Sequence, residues 1–219
     1  MRTDFDHEPA PAAGIASESG RPAPLPDAVA LSEASRRQLL AVARVAVGVA
    51  ARALPSGALD AAMHDGSQLA LSASAFVTLT EDGDLRGCMG ILDPDRPVVD
   101  SVAEAAACAT RTDPRFRPVE PRELGRLDIE VSVLGPLTPL ADPLGFRLGV
   151  DGVVVRQGSR RGLLLPEVAT QNGLDHRGML EIAGRKAGLP ASAWSDPATT
   201  VYAFRTDHFG GPAIETPGS

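Results

Sequence analysis

Residues 85–90, with the sequence Leu-Arg-Gly-Cys-Met-Gly, place an arginine and a cysteine two positions apart among glycines. The segment is predicted to be a strand, and side chains two apart on a strand share one face, about 7 Å from each other. Arg86 and Cys88 are therefore predicted to point the same way, and a nearby guanidinium favours the thiolate, the reactive form of cysteine. Gly87 and Gly90 indicate the close approach of a ligand or of another backbone. The pattern predicts an activated thiol in an uncrowded, electropositive place.

The alternative for Cys88 is a small packed residue, because free cysteine is among the most buried residue types. An arginine on the same face argues against a dry core at this position. Cys108 lies in an alanine-rich segment that is predicted to be helical, and we interpret it as a packing residue. Two cysteines in 219 residues are not a disulfide framework, so both thiols are expected to be free in a reducing cytoplasm.

Two residues elsewhere in the chain are candidates for a general acid or base. Glu130 lies in the alternating segment 127–134, on the polar face of a predicted strand. His176 follows Asp175 at the predicted start of a helix, where a surface or capping role is the alternative. The four histidines and two cysteines show no metal-ligand spacing, so we predict neither a metal site nor a cofactor.

A basic turn, Gly-Ser-Arg-Arg-Gly at residues 158–162, joins two predicted strands. Paired guanidinium groups bind phosphate or carboxylate, which makes Arg160 and Arg161 candidates for binding an anionic substrate. The alternative is a solvated turn. The chain has no phosphate-binding glycine loop, no dinucleotide fingerprint and no zinc-protease motif, and these absences argue against nucleotide-driven and zinc-hydrolase chemistry.

Helices and hairpins alternate around these candidate residues. Ser32 is a suitable N-cap for a first helix, and an Asp-Gly turn joins the cysteine strand to the strand before it. Hairpins interleaved with helices indicate an α+β fold with a mainly antiparallel sheet and packed helices. The predicted helices are 32–54, 97–110 and 177–187, and the predicted strands are 75–80, 85–92, 127–134, 152–157, 161–165 and 200–205.

Composition limits the class of protein. Hydrophobic residues make up 43% of the chain but aromatic ones only 4%, so the core is expected to consist mainly of Val, Leu and Ala. A net charge of -7 makes nucleic acid or an anionic membrane a poor partner, and no apolar run reaches the roughly 18 residues of a membrane span. No signal-peptide pattern is present, so the expected location is the cytoplasm.

Residues 1–30, rich in Pro and Ala, are expected to form a disordered tail, and residues 210–219 a flexible one.

The cysteine strand and the strand before it resemble the signature hairpin of the AMMECR domain family. Further blocks follow in the order that the family shows, and together they cover residues 31–207. These blocks are Asp-Pro-Arg-Phe at 113–116, Glu-Pro-Arg-Glu-Leu at 120–124, the strand 129–134, the strand 152–155, the basic hairpin 158–166, and Arg-Lys-Ala-Gly-Leu-Pro at 185–190.

The resemblance implies one two-lobed α+β domain over residues 31–209, with the cysteine strand beside a cleft between the lobes. Bacterial members are called protein A of the AmmeMemoRadiSam system. This association implies a Memo-like protein and a radical S-adenosylmethionine enzyme as partners. The resemblance does not supply a reaction.

Two functions fit these observations. The first is a cysteine-dependent enzyme or thiol carrier that bonds covalently to its substrate through Cys88. The alternative is a non-catalytic ligand-binding or adaptor module for the same partners. The predicted catalytic residues are Cys88, Arg86 and Glu130, and the predicted substrate-binding residues are Gly87, Gly90, Arg115, Arg160 and Arg161.

Overall fold

The structure, a computed structural model, describes residues 31–66, 69 and 71–214 of the chain. Two four-stranded antiparallel sheets, each with helices packed on one face, divide these residues into two lobes. The predicted α+β class is therefore confirmed, with two separate sheets in place of one. The predicted N-terminal tail, residues 1–30, and residues 215–219 lie outside the described part of the chain.

The first lobe contains most of the N-terminal half of the chain together with its last strand. Its elements are α1 (Glu33–Ala50), α2 (Gly57–Gly66), β1 (Ala75–Glu81), β2 (Asp84–Ile91), α3 (Val98–Arg111), β3 (Leu127–Leu134) and β8 (Thr206–Pro212). The strands have the order β2-β1-β3-β8, so β2 is an edge strand. A 3-10 helix, Pro121–Arg126, lies between α3 and β3.

Small aliphatic side chains fill the space between this sheet and its helices. The Ser32 hydroxyl accepts a hydrogen bond of 3.1 Å from the N–H of Ser35, which fixes the start of α1 where the sequence predicts it. Helices α1 and α3 then bury one apolar face each against the side of the sheet that carries Val77, Leu79 and Val131. The core consists mainly of Val, Leu and Ala, as the low aromatic content predicts.

The second lobe is built from the middle of the chain. Its elements are β4 (Thr138–Pro139), β5 (Gly152–Gln157), β6 (Arg160–Leu164), α4 (Glu167–Gln171), α5 (His176–Lys186) and β7 (Thr200–Phe204). The strands have the order β4-β7-β5-β6, and α5 packs on β5 and β6. Asp175 caps α5, because its carboxylate accepts a 2.7 Å hydrogen bond from the N–H of Gly178.

Strand β8, which was not predicted from the sequence, returns the chain to the first lobe. The prediction of a flexible tail from residue 210 is wrong for residues 210–212, which pair with β3. Two glycines and a proline make the segment a poor strand former by itself. Tertiary contacts compensate for this weakness, because the buried Asp207 carboxylate forms a 2.9 Å ion pair with Arg36 and accepts the N–H of Leu31.

The helix-free faces of the two sheets meet at a small apolar cluster. In this cluster, Phe76 and Leu92 of the first lobe pack with Val154, Leu163 and Phe204 of the second. Side chains that flank the cluster on either sheet therefore line the space between the lobes. Among the described residues, no helix combines the length and the apolar character that crossing a membrane requires.

Candidate functional site

Cys88 lies near the middle of β2, on the helix-free face of the first sheet. It stands directly opposite Thr78 of β1, which in turn stands opposite Glu130 of β3. The Thr78 hydroxyl donates a hydrogen bond of 3.3 Å to the Cys88 sulfur. Both residues are half-buried, and Cys88 is a free thiol. The sulfur is thus positioned by the neighbouring strand and faces the space between the lobes.

Arg86 does not lie beside this thiol, because β2 is irregular just before Cys88. Leu79 pairs with Gly87, whereas Thr80 pairs with Leu85, so Arg86 is an extra residue in the register. An extra residue of this kind re-aims the side chains around it. The prediction that Arg86 and Cys88 share one face assumes that side chains alternate without interruption along β2. It is wrong because the extra residue interrupts this alternation.

Arg86 instead forms a buried ion pair with Glu123 of the 3-10 helix, with contacts of 3.0 and 3.3 Å to the two carboxylate oxygens. Its guanidinium also donates hydrogen bonds to the carbonyl oxygens of Arg117 and Pro118. Burial opposes the ionisation of Glu123, but the bonds from Arg86 outweigh it and hold the pKa of Glu123 below its ordinary value. Arg86 is therefore a structural clamp, and the predicted catalytic role does not fit its position.

The two glycines of the strand have packing roles. Gly87 lies on the helix side of β2, where any side chain would collide with the carbonyl of Ala109 in α3. Gly90 lies on the side of Cys88, but the ring of Phe76 covers it. Close approach of another group is confirmed at both positions. The approaching groups belong to the protein itself, so the predicted substrate-binding role is not supported for either glycine.

The loop after α3 forms hydrogen bonds with the backbone of Cys88 at the open edge of the sheet. The Asp113 carboxylate accepts the N–H of Cys88 at 2.9 Å, and the Arg115 guanidinium donates to the Cys88 carbonyl at 3.3 Å. Arg115 also donates to the Asp113 carboxylate at 2.9 and 2.6 Å, and these bonds lower the pKa of Asp113 to about 2. Side-chain groups therefore satisfy both backbone groups that an edge strand would otherwise leave unpaired.

The Cys88 thiol is neutral at rest. Burial raises its pKa above the ordinary value of 9.0, against the opposing effects of the Thr78 hydrogen bond and of the positive charges on Arg115 and Lys186. The predicted thiolate is therefore disfavoured in the ligand-free protein. Two cations, Arg115 and Lys186, act on the thiol, but the negative charge of Asp113 opposes them, and Arg86 does not contribute.

Lys186, the last residue of α5, brings a cation of the second lobe to this thiol. Desolvation lowers the pKa of Lys186 below its ordinary 10.5, the charge of Arg115 lowers it further, and Cys88 opposes the shift. The same surroundings thus raise the pKa of the thiol and lower that of the amine. Burial therefore favours the neutral form of each group.

Glu130 is two strands away from Cys88, which places their backbones roughly 10 Å apart at ordinary strand spacing. It faces a second carboxylate, Glu167, at the start of α4 in the other lobe. Burial raises the pKa of Glu167, the negative charge of Glu130 adds to the rise, and His208 opposes it. The predicted acid–base residue Glu130 is therefore one member of an interacting pair of carboxyl groups.

His176 has a structural role at the far end of α5. Its Nε2 atom is 3.0 Å from the carbonyl oxygen of Phe146, and its ring packs on the Phe146 ring with centroids 4.9 Å apart. Ten helical steps separate His176 from Lys186, or about 15 Å at the rise of an α-helix. Because Lys186 is the end of α5 that acts on Cys88, His176 does not serve as the base for this thiol.

The predicted arginine pair at the basic hairpin is divided between the two faces of β6. Arg160 lies on the side of α5, where it donates to the carbonyl of Gly188 at 3.4 Å and to Gln157 at 3.2 Å. Arg161 points to the opposite side, as neighbouring residues of a strand do. The two guanidinium groups therefore do not bind one anion together.

Four residues of this site were not predicted from the sequence, namely Thr78, Asp113, Glu167 and Lys186. Asp113 and Lys186 belong to the blocks 113–116 and 185–190 that carry the family resemblance, so the blocks were a usable signal. The position of Thr78 follows from the register of the first hairpin. Within the described residues, no group of three or more His, Cys, Asp or Glu side chains could hold a metal ion.

Comparisons with known proteins agree with the resemblance in the sequence. Residues 40–209 match the AMMECR1 family. A protein from Methanothermobacter thermautotrophicus is 49% identical over 140 residues, which cover 61% of this chain and 73% of that protein. Protein MK0488 from Methanopyrus kandleri is 40% identical over 151 residues, which cover 65% of this chain and 73% of that protein.

A solved structure is similar over most of its length. The crystal structure of the uncharacterized protein PH0010 from Pyrococcus horikoshii superposes with a TM-score of 0.72 at 31% sequence identity. The similarity covers 82% of this chain and 93% of that chain. It therefore includes both lobes and the space between them.

Proposed function

The chain belongs to the AMMECR1 family, and on that premise we propose that it is a cysteine-dependent enzyme or thiol carrier that bonds an anionic substrate through Cys88. The observation that carries the proposal is the position of this thiol. Cys88 is half-buried under the influence of two cations that come from different lobes, Arg115 and Lys186. A residue that serves only to pack the core needs no such surroundings.

Lys186 is the proposed base for the thiol. Its lowered pKa increases the fraction of neutral amine, which takes the proton from the Cys88 sulfur. The thiolate then attacks the electrophilic carbon of an acyl donor, a carbon–sulfur bond forms, and the bond to the leaving group breaks. Lys186 returns the proton to the leaving group, so the product is a thioester on Cys88 and no oxidant or reductant is needed.

Arg115 is the proposed anion-binding residue. Its side chain is 52% exposed although it is bonded to Asp113, so one side of the guanidinium can meet a carboxylate or phosphate of the substrate. The Asp113 carboxylate accepts hydrogen bonds from both the Arg115 guanidinium and the Cys88 N–H, so it fixes the position of one relative to the other. The Glu130–Glu167 pair, with the raised pKa of Glu167, is a proposed source of a second proton for the release of product.

Two alkylating reagents of nearly equal size test this proposal. Iodoacetate carries a negative charge and iodoacetamide does not, so Arg115 and Lys186 should attract only iodoacetate. The rate of labelling by iodoacetate divided by that by iodoacetamide should therefore be higher at Cys88 than at Cys108. Mass spectrometry of the separate peptides measures both rates in one sample. Equal ratios at the two cysteines, or labelling of Cys88 by both reagents no faster than Cys108 at every pH up to 10, would rule out an anion-directed thiol.

A covalent intermediate can be sought directly. After purification from the native host, intact-mass measurement should show an adduct on wild-type protein that is absent from Cys88→Ala and present on Cys108→Ser. Hydroxylamine should release the adduct if it is a thioester. An unmodified Cys88 under substrate-rich growth conditions, in a protein that passes the alkylation test, would favour the second candidate below.

We further propose that the protein acts with a Memo-like protein and a radical S-adenosylmethionine enzyme. This proposal is supported by the family resemblance, because bacterial members are associated with both. Pull-down of the products of neighbouring genes tests it, with Cys88→Ala as bait in parallel to separate binding from covalent chemistry. Failure to retain either partner, with reduced and with adduct-bearing protein, would contradict it.

The second candidate is a non-catalytic ligand-binding or adaptor module. One observation favours it, namely that burial keeps the Cys88 thiol neutral. This candidate predicts that Cys88→Ser supports the same cellular function as wild type, whereas the first predicts its loss. Complementation of a deletion strain with Cys88→Ser and with Cys108→Ser as the matched control separates the two.

A further inference from the structure

A cavity of about 460 Å³, which we call the interlobe cavity, lies between the lobes. Its volume is within the range of roughly 300–1,000 Å³ that is usual for small-molecule sites. One wall is the helix-free face of the second sheet, and the opposite wall comes from residues 72–74, which lead into β1. The chain between β3 and β4, including Leu137, closes one side. The interlobe cavity is therefore large enough to hold a small organic molecule.

The floor of the interlobe cavity is an apolar row. Tyr202, Val154 and Leu163 lie side by side on β7, β5 and β6, because Val154 pairs with both of the other residues. Leu92 of the first lobe packs against the same row. A ligand with an apolar body would remove this surface from water, and the gain in free energy grows with the area that the body covers.

Arg156 supplies hydrogen-bond donors at one end of this row. It is two residues along β5 from Val154, so it lies on the same face of the sheet, about 7 Å further on. Its guanidinium lies over the Tyr202 ring, 5.3 Å from the ring centroid. This contact uses one face of the guanidinium, whereas the N–H groups lie in its plane and have no acceptor among the described residues. Arg161, opposite Arg156 on β6, already has an interaction of its own, so Arg156 is the donor to consider at this end.

Ser74 presents a second polar group from the opposite wall. It lies two residues before Phe76, so its side chain points to the same helix-free side of the first sheet. Ser74 is only 9% exposed, and within the described part of the chain its hydroxyl has no hydrogen-bond partner, although its backbone carbonyl accepts the N–H of Leu134. A buried hydroxyl without a partner is costly, because it loses the hydrogen bonds that water would supply. Its position in the cavity wall indicates that a molecule held in the cavity supplies the partner.

The shape and the charge of the lining restrict the class of ligand. The floor is the face of a sheet and the opposite wall is a short stretch of chain, so the space between them suits a flat body. Aromatic rings are the flat apolar groups of organic ligands. None of the described residues that line the cavity is acidic, whereas Arg156 offers charged donors. The lining therefore favours an acceptor oxygen on the ligand and disfavours an ammonium group.

We propose that the interlobe cavity binds a flat aromatic molecule that carries an acceptor oxygen, such as the carbonyl of an aryl ketone. The aromatic body covers Val154 and Leu163, and the oxygen accepts a hydrogen bond from the Arg156 guanidinium. A hydroxyl at the opposite edge of the ligand pairs with the Ser74 hydroxyl. This binding function goes beyond the covalent chemistry proposed for Cys88.

The interlobe cavity is separate from the thiol site. Among the described residues, its lining includes none of Cys88, Arg115 and Lys186. Binding in the cavity therefore does not need the thiol. Failure of either proposal leaves the other standing.

Three naphthalenes of similar shape test the inference. 2-Acetylnaphthalene carries the acceptor oxygen, 2-ethylnaphthalene has a methylene group in place of the carbonyl, and 6-hydroxy-2-acetylnaphthalene adds a hydroxyl at the opposite edge. Each is titrated into the full chain with labelled methyl groups, and NMR spectra give the dissociation constant and the location. The methyl signals of Val154 and Leu163 should move, whereas those of Val77 and Leu79, in the core of the first lobe, should stay in place. No movement at Val154 and Leu163 up to the solubility limit of either ketone would overturn the proposal.

Arg156→Met tests the acceptor oxygen. The substitution removes the guanidinium at an exposed position and keeps an apolar chain beside Tyr202. It should weaken binding of 2-acetylnaphthalene about tenfold, as expected for a hydrogen bond to a charged group, and change binding of 2-ethylnaphthalene by less than about twofold. Arg160→Met, on the same hairpin but on the other face, is the matched control and should bind both compounds like wild type. Equal effects of Arg156→Met on the two compounds would refute the role of Arg156.

Ser74→Ala tests the second polar contact. The added hydroxyl of 6-hydroxy-2-acetylnaphthalene should strengthen binding about threefold or more over the parent ketone in wild type, and Ser74→Ala should abolish this gain. Equal affinities of the two ketones in wild type would contradict the contact with Ser74. Cys88→Ala should bind all three compounds within about twofold of wild type. A loss of binding in Cys88→Ala would contradict the separation of the two sites, and it would leave the alkylation test of the thiol untouched.

Discussion

Two arginine–carboxylate pairs flank β2, one on its helix side and one at its open edge, and they differ in exposure. On the helix side, the side chains of Arg86 and Glu123 are 10% and 4% exposed. At the open edge, beside Cys88, Asp113 is 2% exposed but Arg115 is 52% exposed. The first pair is closed to any ligand, whereas the second leaves a guanidinium half-exposed at the open edge of the sheet.

Arg86 and Cys88 are two residues apart in sequence, but Arg86 belongs to a buried cluster that does not include the thiol. The bonds of Arg86 all end on Glu123 and on two backbone carbonyls, so its charge holds the segment after α3 to the edge strand. Arg115 shares its carboxylate with the backbone of Cys88, so its position is coupled to that of the thiol. Proximity in sequence therefore misleads here, and the arginine that acts on the thiol comes from 27 residues further along the chain.

Arg86→Met should cause the largest loss of stability, because it leaves the Glu123 carboxylate buried without its partner. We expect a decrease in the free energy of unfolding of about 3–5 kcal/mol, measured by urea denaturation. Arg122→Gln, an exposed arginine of the same 3-10 helix, is the control and should change stability by less than about 0.5 kcal/mol. A loss below about 1 kcal/mol for Arg86→Met would mean that the pair is not the clamp described above.

Asp113→Asn should have the next largest effect, and the effect should depend on pH. The pKa of Asp113 falls from 3.8 to about 2 on folding, which corresponds to about 2 kcal/mol of stability. Because the folded pKa is depressed, this stability is present above pH 3.8 and is lost as the pH falls through about 2. Urea denaturation at several pH values should show wild type and Asp113→Asn converging toward pH 2.

The matched control for this prediction is Asp128→Asn, since Asp128 is an exposed carboxylate of the same lobe. It should leave the pH dependence of stability in this range unchanged. If Asp113→Asn and wild type differ by the same amount at pH 7 and at pH 2, the carboxylate charge is not what stabilises the loop.

Lys186→Gln should have the smallest effect on stability, less than about 0.5 kcal/mol, because the residue lies at the exposed end of α5. Its effect should appear at the thiol. Loss of the positive charge raises the pKa of Cys88 further, so the rate of labelling by iodoacetamide should rise at higher pH than in wild type. Mass spectrometry of the Cys88 peptide across pH 7–11 measures the shift.

Arg185→Gln is the control for Lys186→Gln, since it removes a neighbouring positive charge that is paired with Glu181. It should leave the labelling profile of Cys88 unchanged. Identical profiles for the two variants would remove Lys186 from the proposed mechanism and leave Arg115 as the cation that acts on the thiol within the described part of the chain.

Local pattern determined most of the elements and the class of the fold. The N-cap at Ser32, the Asp-Gly turn before β2 and the alternation of β3 are short-range features, and short-range chemistry is enough to place them. Strand β8 was missed because its glycines and proline disfavour a strand until β3 and Arg36 hold it in place. The family could also be identified from the sequence, because the order of its blocks along the chain can be read without a structure.

The sequence by itself identified Cys88 as the residue to examine and predicted electropositive surroundings for it, with Arg86 as the cation. Only the tertiary structure decided which cations these are, since the irregular register at Arg86 turns that side chain to the helices and the packing of the lobes brings Lys186 to the thiol. It also decided the protonation state, because a pKa depends on burial and on charges that are distant in sequence. Strand pairing likewise sets Arg156 opposite Arg161 and turns Arg160 to the other face of β6.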